Sequence, residues 1–384
     1  MIKGAERLKQ FEEYFFSKKL KEIELLKENG RPIINLGIGS PDLEPPLRVV
    51  NALKESLVHS GAHGYKPYRG ILELRKAISD FYNNQFGVAL SPLNEVLPLM
   101  GSKEGVSHIS MAFLNPGDQV LIPNPGYPTY GSAAKMVGAE PVNYNLNEEN
   151  SWMPNLVELE QQDLSKVKLM WVNYPHMPTG ANATNVFFEN LIAFAKRNDI
   201  LIVNDNPYAF ILNDNPKSIL KYPKAKEVCI ELNSLSKTFN MAGWRVGMVL
   251  GAERYLDLIL KVKSNLDSGM FYPVQKGAIA ALESSKMWYY SLNSVYESRR
   301  LLLWEIAELL GLEFDKDGSG LFVWAKLPIG KSDKSFVEEV LTKYNVFFTP
   351  GSVFGSNGLG YIRMSLCAAE ADILEVIRRI KSKS

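Results

Sequence analysis

Short apolar runs and longer stretches of helical periodicity alternate through the middle of this 384-residue chain. The apolar runs are rich in β-branched residues and lie at residues 120–122, 167–172, 200–203 and 228–232. Such alternation is typical of βαβ units and predicts an α/β fold around a parallel or mostly parallel sheet. Polar residues directly follow these runs, and open α/β sheets bind ligands at the carboxyl ends of their strands. We therefore expect a ligand site along that edge of the sheet.

The N-terminal segment has a different pattern. Residues 5–29 have the spacing of a charged amphipathic helix that ends at Gly30, and residues 32–39 form a short extended segment. Prolines then impose a loop on residues 41–46. We assign residues 1–46 to an N-terminal arm that also forms part of a smaller domain.

The C-terminal part of the chain predicts the rest of that smaller domain. A long helical pattern covers residues 277–310 and is closed by Gly311. It is followed by strand-like runs at residues 321–325, 346–348 and 361–365, and by a terminal helix with Ile373, Val376 and Ile380 on one face. This order is typical of an α+β domain. Since one domain usually takes about 100–200 residues, we predict a large domain at 47–280 and a small C-terminal domain at 281–384.

Composition narrows the function. Basic side chains number 43 and acidic ones 42, so nothing marks a nucleic-acid or membrane surface, and we expect a small-molecule partner. Cys229 and Cys367 are too few for a disulfide framework or a thiolate metal site, while His59, His63 and His108 lack ligand spacing, so no metal is predicted. The N-terminus lacks the pattern of a secretory signal, and no apolar run reaches the roughly 18 residues of a membrane span. These features predict a cytoplasmic protein.

The segment 234–247 carries the strongest chemical signal. Lys237 lies between hydroxyl residues and eight positions before Arg245. Its amine can form an imine with an aldehyde cofactor, while Ser234 and Arg245 neutralise and orient a phosphate on that cofactor. The full pattern, S-x-S-K-x-x-x-x-x-G-x-R-x-G, resembles the lysine signature of the class I and II aminotransferases that depend on pyridoxal 5′-phosphate (PLP). The resemblance implies fold type I, with a mostly parallel, seven-stranded type of sheet flanked by helices in the large domain, and it places Ser236 among the cofactor-binding residues.

Asp205 is the candidate partner of the cofactor ring. The ring accepts electrons only while its nitrogen stays protonated, and a buried carboxylate favours that cationic form. Asp205 follows the apolar run 200–203 and precedes Tyr208 by three residues, as in the D-x-x-Y element of the family. The resemblance implies that Tyr208 donates a hydrogen bond to the phenolic oxygen of the cofactor.

Two further segments resemble cofactor-binding elements of the same family. Gly101, Ser102 and Lys103 directly precede a helical stretch, so that their backbone N–H groups and the hydroxyl can meet a phosphate at the helix N-terminus. Residues 123–130 resemble the P-x-Y-P-x-Y loop, in which the first tyrosine, here Tyr127, lies flat on the cofactor ring. Both segments precede Asp205 and Lys237, in the order that the family shows.

Residues 64–70 resemble the family segment that carries a tyrosine across a subunit boundary. Tyr65 occupies the position of that tyrosine, which reaches the phosphate of the neighbouring subunit. The resemblance therefore implies a homodimer with shared active sites.

Arg363 is the candidate for binding the substrate carboxylate. Residues 361–365 resemble the R-x-S element, and the planar guanidinium binds a carboxylate through two parallel hydrogen bonds, which orients the Cα–H bond. Residues 36–42 resemble the loop that covers the substrate, where Gly39 permits a close approach of the backbone. The matching elements extend from residue 36 to residue 365.

One position departs from the family pattern. The family has N-P-T-G after its middle strand, and its asparagine donates to the phenolic oxygen of PLP, whereas Met177 stands at that place here. A thioether cannot donate, so a hydrogen bond is missing unless Asn173 or His176 supplies it. We predict that the missing donor raises the pKa of the imine formed by Lys237.

The resemblance implies an aminotransferase that moves the amino group of an L-amino acid to a 2-oxo acid, with 2-oxoglutarate expected, by a ping-pong mechanism through the Lys237 imine. Lys237 would serve as the acid and base, with Asp205 and Tyr208 as the other catalytic residues. Two alternatives remain open at this point. One is a PLP-dependent C–S lyase that performs β-elimination on the same fold, and the other is a PLP-fold ligand-sensing domain.

The surface expected around the substrate side chain is apolar. Aromatic residues of the N-terminal helix, including Tyr14 and Phe16, and the loop 269–273 favour an aliphatic, aromatic or thioether amino acid. The Gly-Ser-Lys-Glu-Gly motif at residues 101–105 also resembles the LL-diaminopimelate aminotransferase branch of the family. That substrate has a second charged end, for which the sequence shows no partners.

Overall fold

The computed structural model describes residues 2–383. The N-terminal arm contains a 3-10 turn at Glu6–Gln10, helix α1 (Phe15–Glu28) and the short strand β1 (Ile34–Asn35). The single helix predicted over residues 5–29 is therefore wrong in its first part. Residues 11–14 leave the helical path, and Tyr14 adopts an extended conformation directly before α1. This turns the Tyr14 side chain toward the cavity described below.

The predicted large domain follows the arm. Its strands are β2 (Val96–Leu99), β3 (Gln119–Asn124), β4 (Glu140–Asn145), β5 (Val167–Val172), β6 (Leu201–Asp205), β7 (Cys229–Ser234) and β8 (Gly247–Gly251). Its helices are α2 (Leu47–Ser56), α3 (Leu72–Phe86), α4 (Ser102–Phe113), α5 (Thr129–Met136), α6 (Leu156–Glu160), α7 (Asn185–Asn198), α8 (Ala225–Val228), α9 (Leu235–Thr238), α10 (Glu253–Ser264) and α11 (Tyr272–Leu282).

The small domain completes the chain. It consists of α12 (Lys286–Leu309), β9 (Glu313–Phe314), β10 (Phe322–Lys326), α13 (Asp333–Tyr344), β11 (Val346–Phe347), β12 (Thr349–Pro350), β13 (Tyr361–Ser365) and α14 (Glu370–Lys381). The long helix predicted over residues 277–310 is two helices, α11 and α12. The break falls at Ser284 and Ser285, where a side-chain hydrogen bond from Ser284 Oγ to the Ala280 carbonyl competes with the backbone ladder.

The central sheet has seven strands in the order β2-β8-β7-β6-β5-β3-β4. Strands β4, β3, β5, β6 and β7 run parallel, and β8 is antiparallel to both of its neighbours. All residues of β6 and β7 are buried, as expected for parallel strands covered by helices on both faces. The predicted α/β fold with a mostly parallel sheet is confirmed, although the sequence pattern did not reveal β2, β4 and β8.

The arm packs into the small domain. Strand β1 pairs in parallel with β11, and Ile23, Ile33 and Leu36 lie in the same apolar core as residues of α12, α13 and α14. The small domain also has an antiparallel sheet in the order β12-β13-β10-β9. Through these contacts the arm and β13 are held beside the carboxyl ends of the central strands. No helix within residues 2–383 has the length and apolar character needed to cross a bilayer.

Candidate active site

A cavity of about 530 Å³ lies at the carboxyl ends of β5, β6 and β7. Twelve of the fourteen predicted site residues line it, namely Gly39, Ser102, Lys103, Tyr127, Asn173, Asp205, Tyr208, Ser234, Ser236, Lys237, Arg245 and Arg363. Gly101 lies directly behind the wall, since a Cβ there would come within 2.1 Å of the Arg245 guanidinium. Tyr65 is 91% exposed and is not part of the lining.

Lys237 is placed by the turn that joins β7 to α9. Ser234, the last residue of β7, caps α9 by accepting a hydrogen bond from the Ser236 N–H. The Lys237 side chain then points into the cavity, where Nζ donates to the Gly39 carbonyl at 2.7 Å. Burial lowers the pKa of this amine, and the nearby guanidinium groups of Arg363 and Arg245 lower it further. A larger fraction of the amine is therefore unprotonated and nucleophilic.

Hydroxyl groups and one guanidinium form an anion site at one end of the cavity. Ser102 begins α4, Ser234 Oγ donates to Ser236 Oγ at 2.7 Å, and Arg245 lies between α9 and β8. Gly101 has a φ of 93°, which only glycine adopts without strain, and it lets the helix N-terminus approach Arg245. Helix N-termini with adjacent hydroxyls and a guanidinium suit a phosphate.

Asp205 ends β6 with one carboxylate oxygen unpaired. Oδ2 accepts a hydrogen bond from the Tyr130 hydroxyl at 2.7 Å, while the buried Oδ1 has no partner within residues 2–383. Burial raises the pKa of this carboxyl to about 7, with Tyr130 opposing the shift and the buried Glu231 adding to it. A cationic N–H donor in the cavity would pair Oδ1 and favour the carboxylate. The site therefore fits a protonated ring nitrogen.

Tyr130 is a site residue whose contact the sequence did not show. Its ring stacks on Trp171 with centroids 4.7 Å apart and planes 9° from parallel, which fixes the hydroxyl against Asp205. Tyr127 packs edge-on against Tyr130, with centroids 5.5 Å apart, and lines the cavity. The stacking places Tyr127 beside the space where a cofactor ring would lie.

Glu231 supports Asp205 from the neighbouring strand. It is fully buried on β7 and accepts hydrogen bonds from the Tyr82 hydroxyl, the Asn204 and Asn206 amides and the Ile219 N–H. These donors oppose the rise in pKa that burial causes in Glu231. The network ties together the carboxyl ends of β6 and β7 and so fixes the backbone on both sides of Asp205.

Arg363 is buried among aromatic rings on β13. Its guanidinium carbon lies 3.9 Å from the centroid of Phe322, 4.7 Å from that of Phe354 and 5.5 Å from that of Phe16. Nη2 donates to the Gly37 carbonyl at 2.7 Å, and no carboxylate within residues 2–383 forms an ion pair with this side chain. Burial lowers its pKa to about 10. A buried cation without a counter-ion is suited to bind a carboxylate.

Met177 lies against Arg363, and the two predicted substitute donors differ in their position. The Met177 sulfur is 3.3 Å from Arg363 Nη1. Asn173 uses its amide to bond the Asp205 carbonyl and the Met177 N–H. His176 bonds the Thr179 hydroxyl, its pKa is lowered by burial to about 3, and it does not line the cavity. Asn173 and Tyr208 both line the cavity and are the candidate donors at this wall.

A second cluster of titratable groups lies outside the cavity. One ligand atom each of Glu104, His108 and Asp267 lies within 4.8 Å of the others. Lys263, itself buried, pairs with Asp267 at 2.8 Å and supplies a positive charge to the cluster. Glu104 also accepts a hydrogen bond from the Met100 N–H and so braces the turn that starts α4.

Comparison with known proteins identifies the family. The aminotransferase class I and II profile matches residues 31–380. LL-diaminopimelate aminotransferases from Halothermothrix orenii and Aquifex aeolicus are each 39% identical to this chain. The alignments cover 99% and 100% of the chain, and 98% and 99% of the respective relatives.

Solved structures agree with this assignment. Substrate-bound BacF from Bacillus subtilis superimposes with a TM-score of 0.94 at 35% identity and covers 100% of this chain and 98% of its own. An aminotransferase from Staphylococcus aureus gives a TM-score of 0.90 at 29% identity, with 99% and 98% covered. The predicted family resemblance is confirmed, and so is the cofactor. The chain belongs to the class I and II aminotransferases of fold type I, which depend on pyridoxal phosphate.

Proposed function

We propose that this enzyme transfers the amino group of an L-amino acid to a 2-oxo acid, with 2-oxoglutarate as the acceptor, in two half-reactions at one cavity. The observation that carries the proposal is the convergence of Lys237, Asp205 and Arg363 on that cavity. They provide a buried amine, an unpaired carboxylate oxygen and an unpaired guanidinium. These are the groups needed to move a proton, hold a cationic ring and bind a carboxylate.

Different residues of the cavity bind different parts of PLP. Ser102, Ser234, Ser236 and Arg245 hold the phosphate of PLP, and Asp205 Oδ1 accepts the hydrogen bond of the ring nitrogen. When bound, PLP supplies an electron sink that stabilises negative charge at the substrate Cα. Tyr127 lies against the ring face, and Tyr208 donates to the phenolic oxygen.

Lys237 and Arg363 act on the substrate. Arg363 binds the α-carboxylate through its fork and orients the Cα–H bond. Lys237 Nζ would accept the proton from the substrate Cα and donate it to C4′ of the cofactor, and the lowered pKa of this amine keeps it able to accept. The Gly39 carbonyl, 2.7 Å from Nζ, holds the amine beside the substrate.

A screen of amino acids tests this function. An amino donor should bleach the visible band of the bound cofactor, and 2-oxoglutarate should restore it. Release of pyruvate and ammonia from a cysteine conjugate without any 2-oxo acid would instead favour β-elimination. A protein that binds PLP but turns over no amino acid would favour ligand sensing.

Tyr65 supports a homodimer with shared active sites. Its side chain is 91% exposed in the single chain and does not reach the local cavity, so it is free to extend toward a neighbouring subunit. We expect Tyr65→Phe to weaken PLP binding about tenfold, because one hydrogen bond to a charged phosphate is lost. Tyr290→Phe, on an exposed tyrosine of α12, is the matched control. Equal PLP dissociation constants for both variants, or a monomer in sedimentation, would contradict the shared site.

Met177→Asn should lower the pH midpoint of the visible-absorbance titration of the holoenzyme by about 0.5–1 unit. The amide adds a hydrogen bond to the phenolic oxygen that is worth about 0.5–1.5 kcal/mol. This bond favours the unprotonated form of the Lys237 imine. Met177→Leu provides no donor and should leave the midpoint in place. An unchanged or raised midpoint in the asparagine variant would refute this role for position 177.

Two observations bear on the identity of the donor amino acid, and they point to different substrates. The 39% identical relatives are named for LL-diaminopimelate, whose far end carries a second ammonium and a second carboxylate. A site for that substrate needs an anion and a cation beyond the reacting carbon. The cavity of this chain instead has one lining carboxylate, Asp205, and several apolar and aromatic side chains.

A further inference from the structure

Six of the cavity side chains that hold neither the cofactor nor the α-carboxylate are large and apolar or aromatic. They are Tyr14, Phe16, Ile38, Met177, Phe322 and Phe354. The arm contributes the first three and the small domain the last two. Phe16 and Phe354 lie 6.3 Å apart between ring centroids, and both face the Arg363 guanidinium. A substrate carboxylate on Arg363 therefore brings its side chain against this apolar wall.

The lining of the cavity contains more basic than acidic side chains. The lining carries four basic side chains, Lys103, Lys237, Arg245 and Arg363, and one carboxylate, Asp205. Asp42, from the loop that covers the cavity, is held by Arg299 through two hydrogen bonds of 2.7 and 2.9 Å. The Tyr65 segment, residues 64–70, contains no aspartate or glutamate. Apart from Asp205, neither the lining nor the Tyr65 segment offers a carboxylate to pair with a second ammonium.

We propose, on the basis of the aminotransferase function proposed above, that the donor is an L-amino acid with a large uncharged side chain, and that the cavity rejects a side chain with a second ammonium. An aromatic, thioether or long aliphatic side chain gains about 25 cal/mol per Å² of apolar surface removed from water. An unpaired ammonium against the same apolar wall is desolvated without a counter-ion, which costs several kcal/mol. Lys103 can pair with the distal carboxylate of LL-diaminopimelate, but its charge repels the distal ammonium.

L-Norleucine and L-lysine test the effect of charge, because they have the same six-carbon chain and lysine carries an additional ammonium group at its end. Each is mixed with the PLP holoenzyme without acceptor, and the rate of bleaching of the cofactor band is followed. We expect the second-order rate constant for norleucine to exceed that for lysine by at least about 100-fold, and L-phenylalanine to exceed LL-diaminopimelate in the same direction. Lysine or LL-diaminopimelate reacting as fast as norleucine would overturn the proposal.

The bleaching experiment gives a different result if the protein is not an aminotransferase. If no amino acid bleaches the band, including norleucine, lysine and LL-diaminopimelate, the aminotransferase assignment itself is wrong. Bleaching by charged but not uncharged donors leaves the aminotransferase function intact and rejects only the specificity.

Phe16→Ala tests the apolar wall. We expect kcat/KM for norleucine to fall about tenfold or more, and kcat/KM for L-alanine, whose side chain is too short to use the wall, to change by less than about threefold. Phe15→Ala is the matched control, because Phe15 packs on the small-domain core and does not line the cavity. Equal losses for norleucine and alanine would show that Phe16 acts through Arg363 or through the fold, and would overturn its role in specificity.

Discussion

Replacing Lys237 by alanine is expected to lower turnover by at least about 10⁴-fold and to remove the visible band of the bound cofactor. Proton transfer by a positioned side chain contributes about 10²–10⁴-fold, and loss of the covalent link to the cofactor adds to this. No second amine takes over, because Lys103, the other lysine of the lining, lies over the ring of Tyr14 with Nζ 4.6 Å from its centroid. Absorbance spectra and steady-state rates of the PLP-loaded variant measure both effects.

The matched control is Lys168→Ala, because Lys168 is an exposed lysine on β5. This variant should keep the band and the rate of the unmodified enzyme. Retention of either the band or the turnover in Lys237→Ala would reject the assignment of Lys237. A Lys237→Ala protein that regains part of its rate on addition of a small primary amine would support the role of the ε-amine as the proton carrier.

Asp205→Asn should have the second largest effect, a fall in turnover of about 10²–10³-fold, as for the loss of one preorganised charged contact. A neutral amide does not hold the ring nitrogen in its cationic form, so the cofactor stabilises less charge at Cα. Tyr130 can still donate to the amide oxygen, which preserves the geometry. Unchanged turnover in this variant would contradict the proposed contact between Asp205 and the ring.

The same substitution should stabilise the cofactor-free protein, and increasingly so at high pH. Burial raises the pKa of Asp205 to about 7 in the folded protein. The stability that its protonated form contributes is therefore fully present below about pH 4, and it is lost as the pH rises through 7. Asparagine does not titrate. The gain in unfolding free energy of the variant should therefore grow by about 1–3 kcal/mol between pH 5 and pH 8.

Urea unfolding of both apoproteins at the two pH values measures this gain. A gain that stays constant or shrinks as the pH rises would contradict the raised pKa of Asp205. The PLP-loaded unmodified enzyme should lack the penalty, because the cationic ring nitrogen favours the carboxylate. Asp205 thus lowers the unfolding free energy of the cofactor-free protein and strengthens the binding of PLP.

Much of the cavity could be predicted because its chemistry depends on short local patterns. Ser234, Ser236 and Lys237 lie at the end of β7 and the start of α9, and Arg245 lies shortly before β8. The roles assigned to these residues remain proposals. Their convergence follows from strand order, because the carboxyl ends of parallel strands meet at one edge.

Contacts between distant segments could not be predicted. The sequence contains Tyr130 and Asp205, but their hydrogen bond depends on how Tyr130 stacks on Trp171. The aromatic surroundings of Arg363 likewise combine Phe16 from the arm with Phe322 and Phe354 from the small domain. Such contacts depend on packing between domains, which local periodicity does not record.

The missed secondary structure has local physical causes. Strand β4 is at the edge of the sheet and has a mixed polar pattern, whereas β8 is fully buried but has only three apolar residues between its two glycines. The arm left its predicted helix at Tyr14, where the side chain enters the cavity.

The central claim is the covalent link between Lys237 Nζ and the cofactor. Borohydride reduction of the holoenzyme, followed by proteolysis and mass spectrometry, tests it most directly. We expect the mass of the reduced cofactor on the peptide containing Lys237 and not on the one containing Lys103. Labelling of Lys103 or of any other lysine instead would contradict it.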